Sequence, residues 1–332
     1  MFNIPVVVFL FKRVEKTITI IDRLALIAPE KLYLIADGAR NADEEEVVRK
    51  CRETVEQHIT WPCAVIKNYA SKNRGVFENI AGGAKWVFER EEVAIFLEDD
   101  NFPSLSFFPF CQEMLVRYKN DNRILWICGT NYLIKSKFKN NASYSFTQNM
   151  LPCGWASWAN KFNKYYKADF EGWAEKGTKT RIKKMCYSNT LKKQEISNWE
   201  YEIYRKSKGL KYLSWDYQMS YTLRSQNLLG IIPKYNQIKN IGVDKDSIHG
   251  GDSISDEMTS RFCENEIEEI EFPLIHPEEV AVDQKFEEAL GKIITYPLSQ
   301  RLKNKVISSL KVILKINKYD SLSAKLRSMF RL

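Results

Sequence analysis

The chain has 332 residues, 44% hydrophobic and 13% aromatic, which is enough apolar material for one large α/β domain or two smaller ones and excludes a disordered segment. Its formal charge of +8 is concentrated: residues 301–332 hold nine Lys or Arg against Asp320 alone, whereas residues 1–300 hold 41 bases and 41 acids. A neutral body argues against a general nucleic-acid-binding surface, and a basic tail points to an anionic partner.

Seven scattered cysteines without a CxxC pair suit a reducing compartment and speak against both a zinc site and a disulfide framework. No run approaches the roughly 18 apolar residues that a spanning helix needs, and residues 4–11 lack the flanks of a signal peptide. The expectation is a cytoplasmic protein, peripheral at the inner face of the cytoplasmic membrane.

Strand and helix periods alternate through the first 130 residues, the pattern of a mainly parallel sheet flanked by helices. Residues 5–11 read as a first strand, and Ile18, Ile21, Leu24 and Ile27 mark one helical face after it. Residues 32–36 form a second strand ending in Asp37-Gly38, Val47, Cys51 and Val55 follow at helical spacing, and residues 63–66 form a third strand. Val76, Ile80, Ala84 and Val87 make another helical stripe, and residues 93–97 are a buried strand running straight into Glu98-Asp99-Asp100. Pro103 suits the first turn of a helix reaching Tyr118, and residues 124–128 are a further strand.

Beyond that point the pattern weakens. Residues 131–215 read as loops and short helices, residues 215–228 as a helix opened by Trp215-Asp216, and residues 229–233 as a strand. An acidic stretch at 264–271, with Pro273 and Pro277, reads as an edge or boundary. In the tail, Leu302, Val306, Leu310 and Ile313 share one helical face, and Leu322, Leu326 and Met329 another. The expected division is one unit over 1–285, changing character near residue 130, and a basic amphipathic tail over 286–332.

Three adjacent acids repel one another, and folding alone does not ask for them at a strand end. One reading is a hard divalent cation, held by one or two carboxylates with positions left for phosphate oxygens; the other is a solvated acidic turn. Asp37 at the end of a second strand favours the first, because open α/β sheets place ligands beyond the carboxyl ends of their strands.

The ordered set Pro5-Val6-Val7-Val8 to Lys12-Arg13, Ile35-Ala36-Asp37-Gly38, Phe96-Leu97-Glu98-Asp99-Asp100 with Phe107-Phe108, and Leu125-Trp126-Ile127-Cys128 resembles the nucleotide-sugar glycosyltransferases of the GT-A fold. Gly154-Trp155, Trp215-Asp216 and His249-Gly250 keep the order of the N-acetylglucosaminyltransferase I type, and the whole is similar to bacterial relatives of that inverting group over residues 4–250. The resemblance implies a GT-A (Rossmann-like) α/β fold and transfer of a hexosyl or N-acetylhexosaminyl group from a nucleotide sugar, a UDP-sugar, with Mn2+ or Mg2+. The acceptor it implies is a glycan or lipid-linked glycan of cell-surface polysaccharide synthesis, and it makes residues 1–285 the catalytic unit, with 1–130 the nucleotide-binding half and 131–285 the acceptor-binding half.

It further implies Asp100 as the direct metal ligand and Asp99 and Glu98 at sugar, ribose or metal-bound water. Asp37 would lie at the base or ribose, Arg13 at the nucleotide or its diphosphate, and Arg74 in the loop bordering the nucleotide. His249 would meet the diphosphate or metal from a Gly-flanked segment, and Trp155 would offer an acceptor platform, against the plainer reading of a core aromatic. Asp216 would be the catalytic base, although the family's second acid is replaced here by Tyr217; its alternative role is to cap the helix that follows. Two rivals stand beside this reading. A sugar nucleotidyltransferase expects a glycine-rich loop after the first strand, which Phe11 to Glu15 does not provide, and a non-catalytic glycan-binding or membrane-surface protein could keep the same fold. The tail, likewise, is either an anionic-membrane anchor or a helix packed on the domain with its lysines solvated.

Overall fold

The computed structural model describes residues 2–185, 188–243 and 253–330. In chain order the strands are β1 (Val6–Leu10), β2 (Lys31–Ala36), β3 (Ala64–Tyr69), β4 (Val93–Glu98), β5 (Asn101–Pro103), β6 (Ile124–Cys128), β7 (Tyr144–Thr147), β8 (Trp155–Trp158), β9 (Leu229–Pro233) and β10 (Ile238–Asn240). The helices are α1 (Val14–Ala25), α2 (Ala42–His58), α3 (Gly83–Phe88, entered through a π-helical turn Glu78–Gly82), α4 (Phe107–Arg117), α5 (Ala159–Tyr165) and α6 (Thr178–Met185). They continue with α7 (Asn189–Ser207), α8 (Asp216–Gln226), α9 (Glu257–Phe262), α10 (Gln284–Ile294), α11 (Leu298–Ile313) and α12 (Leu322–Phe330).

Eight strands form one mixed, mainly parallel sheet in the order β3-β2-β1-β4-β8-β6-β9-β7, flanked by helices in a Rossmann-like α/β fold. β1 pairs parallel with β2 and with β4, so the chain winds outward to β3 and then returns to the other side of β1. That reversal opens a crevice at the carboxyl ends of β1 and β4. Alternation along β1 feeds two cores: Val6, Val8 and Leu10 face α1, α2 and α4, while Val7 and Phe9 face α3, α5, α8 and α10. Burial on both faces explains the uninterrupted apolar run.

Several expectations need correction. The buried face of α1 is Thr17, Ile20, Ile21 and Leu24, and in α2 Val48 is buried while Val47 is 44% exposed. Pro103 does not open a helix; it ends β5, which pairs antiparallel with β10, and α4 starts only at Phe107. Residues 131–215 are more ordered than loops over an edge: β8 inserts antiparallel between β4 and β6, β7 closes the far edge, and α7 runs for 19 residues. The tail expected from residue 286 starts inside α10, whose Phe286 and Leu290 belong to the core; α11 is the first helix without a buried residue.

Lys161 on α5 is 2% exposed, and its ammonium donates to the carbonyls of Tyr118, Asp121 and Ile124 at 2.6, 2.8 and 3.0 Å, over the Trp158 ring. It thereby closes the end of α4 onto β6. Lys161→Met should strand those carbonyls and lower unfolding free energy by about 2–4 kcal/mol, measured as a shift in urea midpoint at unchanged m-value.

Candidate functional site

Arg13 follows β1 and the acidic triplet follows β4, so the two sit across the switch-point crevice. Arg13 occupies the N-cap position of α1 without capping it, and its guanidinium turns back to donate to Asp100 Oδ2 at 2.8 Å and Asp99 Oδ1 at 3.3 Å. Asn101 completes the arrangement. Its amide nitrogen donates to Asp100 Oδ1 at 2.7 Å, while its oxygen accepts from the backbone of Gly154 at 2.8 Å and of Glu98 at 3.3 Å. Asn101 is 1% exposed and ties the triplet to the start of β8, a role that its position right after the acids could have suggested.

One guanidinium does not neutralise three carboxylates. Burial first, then repulsion from Asp100 and Asp99, drives the Glu98 carboxyl well above its ordinary range, and Asp216 adds to that repulsion. Asp99 is pushed up to about 7 by burial and by Asp100, and Asp100 is raised by burial in spite of Arg13. Burial and mutual repulsion act on the cluster against Arg13 and, at Asp100, also against Lys16. Among the described residues no three His, Cys, Asp or Glu side chains converge as an all-protein metal cage would require. The donor set fits instead a hard cation held by one carboxylate and completed by water and phosphate oxygens, as Mg2+ and Mn2+ are beside nucleotide diphosphates.

Gly242 lies against the same acids. A Cβ there would press on the Asp100 carboxylate and the Asn240 amide, so glycine after β10 leaves both side chains where they are. His249 lies outside the described residues; the backbone of Ile241 donates to the Asp100 carbonyl at 2.8 Å.

Asp37, at the end of β2, is 5% exposed and already satisfied: Oδ1 accepts from the backbone of Gly38 and Arg74, and Oδ2 from Asn73 Nδ2 and the backbone of Gly75. Its carboxylate holds the 73–75 loop in place. Arg74 contributes its backbone to that clamp, but its guanidinium turns to Asn68 and Asn79, away from the crevice. The loop expected to border the nucleotide thus reaches the cavity through Asn73 and Gly75 rather than through the Arg74 guanidinium. Trp155 needs correction: it is 1% exposed and stacked between Phe96 at 3.9 Å and Trp126 at 4.1 Å, so neither ring face is open to a sugar.

A cavity of about 630 Å3 joins these pieces. Asp37, Asn73, Gly75 and Asn79, the triplet with Arg13, and Asp216 with Tyr217 all line it, and Asp216 is near enough to Glu98 to add to its repulsion. Asp216 is the first residue of α8, and the capping position before it is Trp215, whose side chain makes no capping hydrogen bond. Gln194 and Asn198 of α7 and Tyr296 also line the cavity. Burial, with Tyr296 and Asp216 beside it, keeps the Tyr217 phenol neutral. Sequence reasoning missed Gln194, Asn198, Tyr296 and Tyr132, which lie in weakly periodic segments and meet only in the folded chain.

Solved structures that align with the chain at low TM-score include two kinds of nucleotide-sugar enzyme. A mannosyltransferase from Pyrobaculum calidifontis in complex with GDP-Man and Mn2+ aligns at 10% identity and TM-score 0.37 over 67% of this chain and 69% of its own. A UDP-glucose pyrophosphorylase complexed with UDP-glucose aligns at 7% identity and TM-score 0.35, over 72% of this chain and 93% of its own. A galactosyltransferase in complex with donor and acceptor sugar analogues aligns at 10% identity and TM-score 0.31, over 90% of this chain and 100% of its own. No family model and no curated protein matches the chain. Likeness at this level says nothing of residue roles, so the functional reading rests on the cavity.

Proposed function

We propose that this protein is an inverting, metal-dependent glycosyltransferase that moves a hexosyl or N-acetylhexosaminyl group from a UDP-sugar to a hydroxyl of a cell-surface glycan. The observation that carries the proposal is the cavity itself, lined at a sheet switch point by buried, mutually repelling acids together with Asp216. In this reading the Asp37 clamp shapes the nucleotide end through the 73–75 loop. Asp100, oriented by Asn101, would hold Mn2+ or Mg2+, whose chemistry when bound is to neutralise the charge gathering on the departing diphosphate. Arg13 exchanges its carboxylate partners for the diphosphate.

Asp216 receives the acceptor's proton. As the acceptor oxygen bonds the anomeric carbon, the bond from that carbon to the diphosphate breaks, its electron pair leaves with UDP, and the O–H proton passes to the Asp216 carboxylate. Attack from the face opposite the leaving group inverts the anomeric centre. Tyr217, Tyr296, Asn198 and Gln194 supply the aromatic and amide groups that suit a sugar acceptor. The basic segment 298–332 is the part read as meeting an anionic membrane. Among the described residues no helix is long and apolar enough to cross one.

Calorimetry of UDP with Mn2+ against UDP with chelator tests the donor site, and a screen of UDP-sugars with analysis of the released nucleotide and the product anomer tests the reaction. Metal-linked UDP binding and UDP release are expected. Pyrophosphate release from UTP and a sugar phosphate would favour a nucleotidyltransferase instead, and absence of metal-linked nucleotide binding a non-catalytic glycan binder.

A further inference from the structure

α11 exposes an apolar row. Leu298 is 62% exposed, Leu302 55%, Val306 59%, Leu310 41% and Ile313 73%, and these positions fall on one helical face. On a helical wheel Arg301 and Lys305 flank that row on one side and Lys303 on the other, and residues 298–315 contain no acid. At 16 residues the helix is about 24 Å long, too short to span a bilayer and long enough to lie along one.

The helix is also fixed in place. Just before it, the backbone of Tyr296 donates to Gln194 Oε1 at 2.8 Å, and Gln194 Nε2 donates to the Ile294 carbonyl at 3.1 Å. Just after it, Lys318 pairs with Glu200 at 2.8 Å, Tyr319 stacks on Tyr204 at 4.8 Å, and the Tyr204 hydroxyl donates to Asp320 at 2.7 Å. Gln194, Glu200 and Tyr204 all belong to α7, so α11 is strapped at both ends to the helix that lines the acceptor end of the cavity. A strap held this way with its apolar side turned outward is built to present that side.

We propose that α11 docks flat on an anionic lipid bilayer and that the strap sets the acceptor end of the cavity beside the membrane surface, Tyr296 being two residues from Leu298. The apolar row enters the boundary between headgroups and acyl chains, and the flanking cations meet lipid phosphates. Such a placement selects acceptors whose glycan is carried by a membrane lipid. That substrate class rests on the glycosyl-transfer reading; the docking itself does not.

Flotation of the full chain with vesicles of phosphatidylcholine plus phosphatidylglycerol, and with phosphatidylcholine alone, tests the docking. Binding to the anionic vesicles only is expected, weakened at high salt. Leu302→Glu with Val306→Glu, and separately Lys303→Glu with Lys305→Glu, should each lower binding by about 10-fold or more while circular dichroism and metal-linked UDP binding stay at the parent level. These residues are remote from the cavity, so loss of flotation with retained UDP binding supports the proposal, and loss of UDP binding in the parent chain bears on the enzyme reading alone. Three results would overturn the docking: no binding of the parent chain to anionic vesicles, binding that survives both double substitutions, or a dimer in sedimentation that Leu302→Glu with Val306→Glu dissociates, which would assign the row to a second copy.

Discussion

Asp100→Ala should lower glycosyl transfer by about 10^3-fold or more and remove the dependence of UDP binding on Mn2+, read by calorimetry and product assay. The size follows from geometry. Asp100 sits where β4 delivers it, with one oxygen on Arg13 and the other fixed by Asn101, so no neighbour can take over its direction. A merely structural Asp100 would leave the metal dependence of UDP binding intact, and that outcome would sink the assignment.

The same variant has a signature in stability. Because the folded protein raises the Asp99 carboxyl from 3.8 to about 7, it keeps a proton that the unfolded chain releases across that window. Proton binding is then greater in the folded state, and metal-free stability should fall as pH rises from about 4 to about 7. Asp100→Ala withdraws the neighbouring charge that contributes to the shift, so the slope should flatten. UDP with Mn2+ should raise the melting temperature of the parent protein and not that of the variant.

Asp216→Asn should leave metal-linked UDP affinity within about 3-fold and lower turnover by about 10^2- to 10^4-fold, because asparagine keeps the shape of the wall but cannot accept the acceptor's proton. The competing structural account predicts something else. A negative charge in the first turn of α8 contributes about 0.3–1 kcal/mol to the helix, so that account expects a small drop in melting temperature with turnover preserved. Full turnover in Asp216→Asn would reject the base assignment and turn attention to Glu98, whose raised carboxyl lies within electrostatic reach of Asp216.

β1, β2, β4, β6 and β9 were legible as apolar runs because each is covered on both faces. β7 and β8 were not: Tyr-Ser-Phe-Thr and Trp-Ala-Ser-Trp mix polar and aromatic residues and lack that signal, yet all eight residues are buried. Pro103 misled for a related reason. A proline near a helical stripe suggests a helix start, whereas β5 exists only because β10, far along the chain, pairs with it.

The acids, Arg13 and Asp37 stood out because charge after a buried strand is a local pattern, and a parallel sheet carries successive strand ends to one edge. Chemical type and strand order are thus written in the chain itself. Which of these groups face one cavity is a matter of side-chain direction and of neighbours distant in sequence. Those neighbours closed both faces of Trp155, turned Arg74 toward Asn68 and Asn79, engaged Asp37 with the 73–75 loop, and brought Asp216 to the cavity that the triplet lines. They also left the row from Leu298 to Ile313 uncovered, which periodicity marks as apolar but only packing reveals as turned outward.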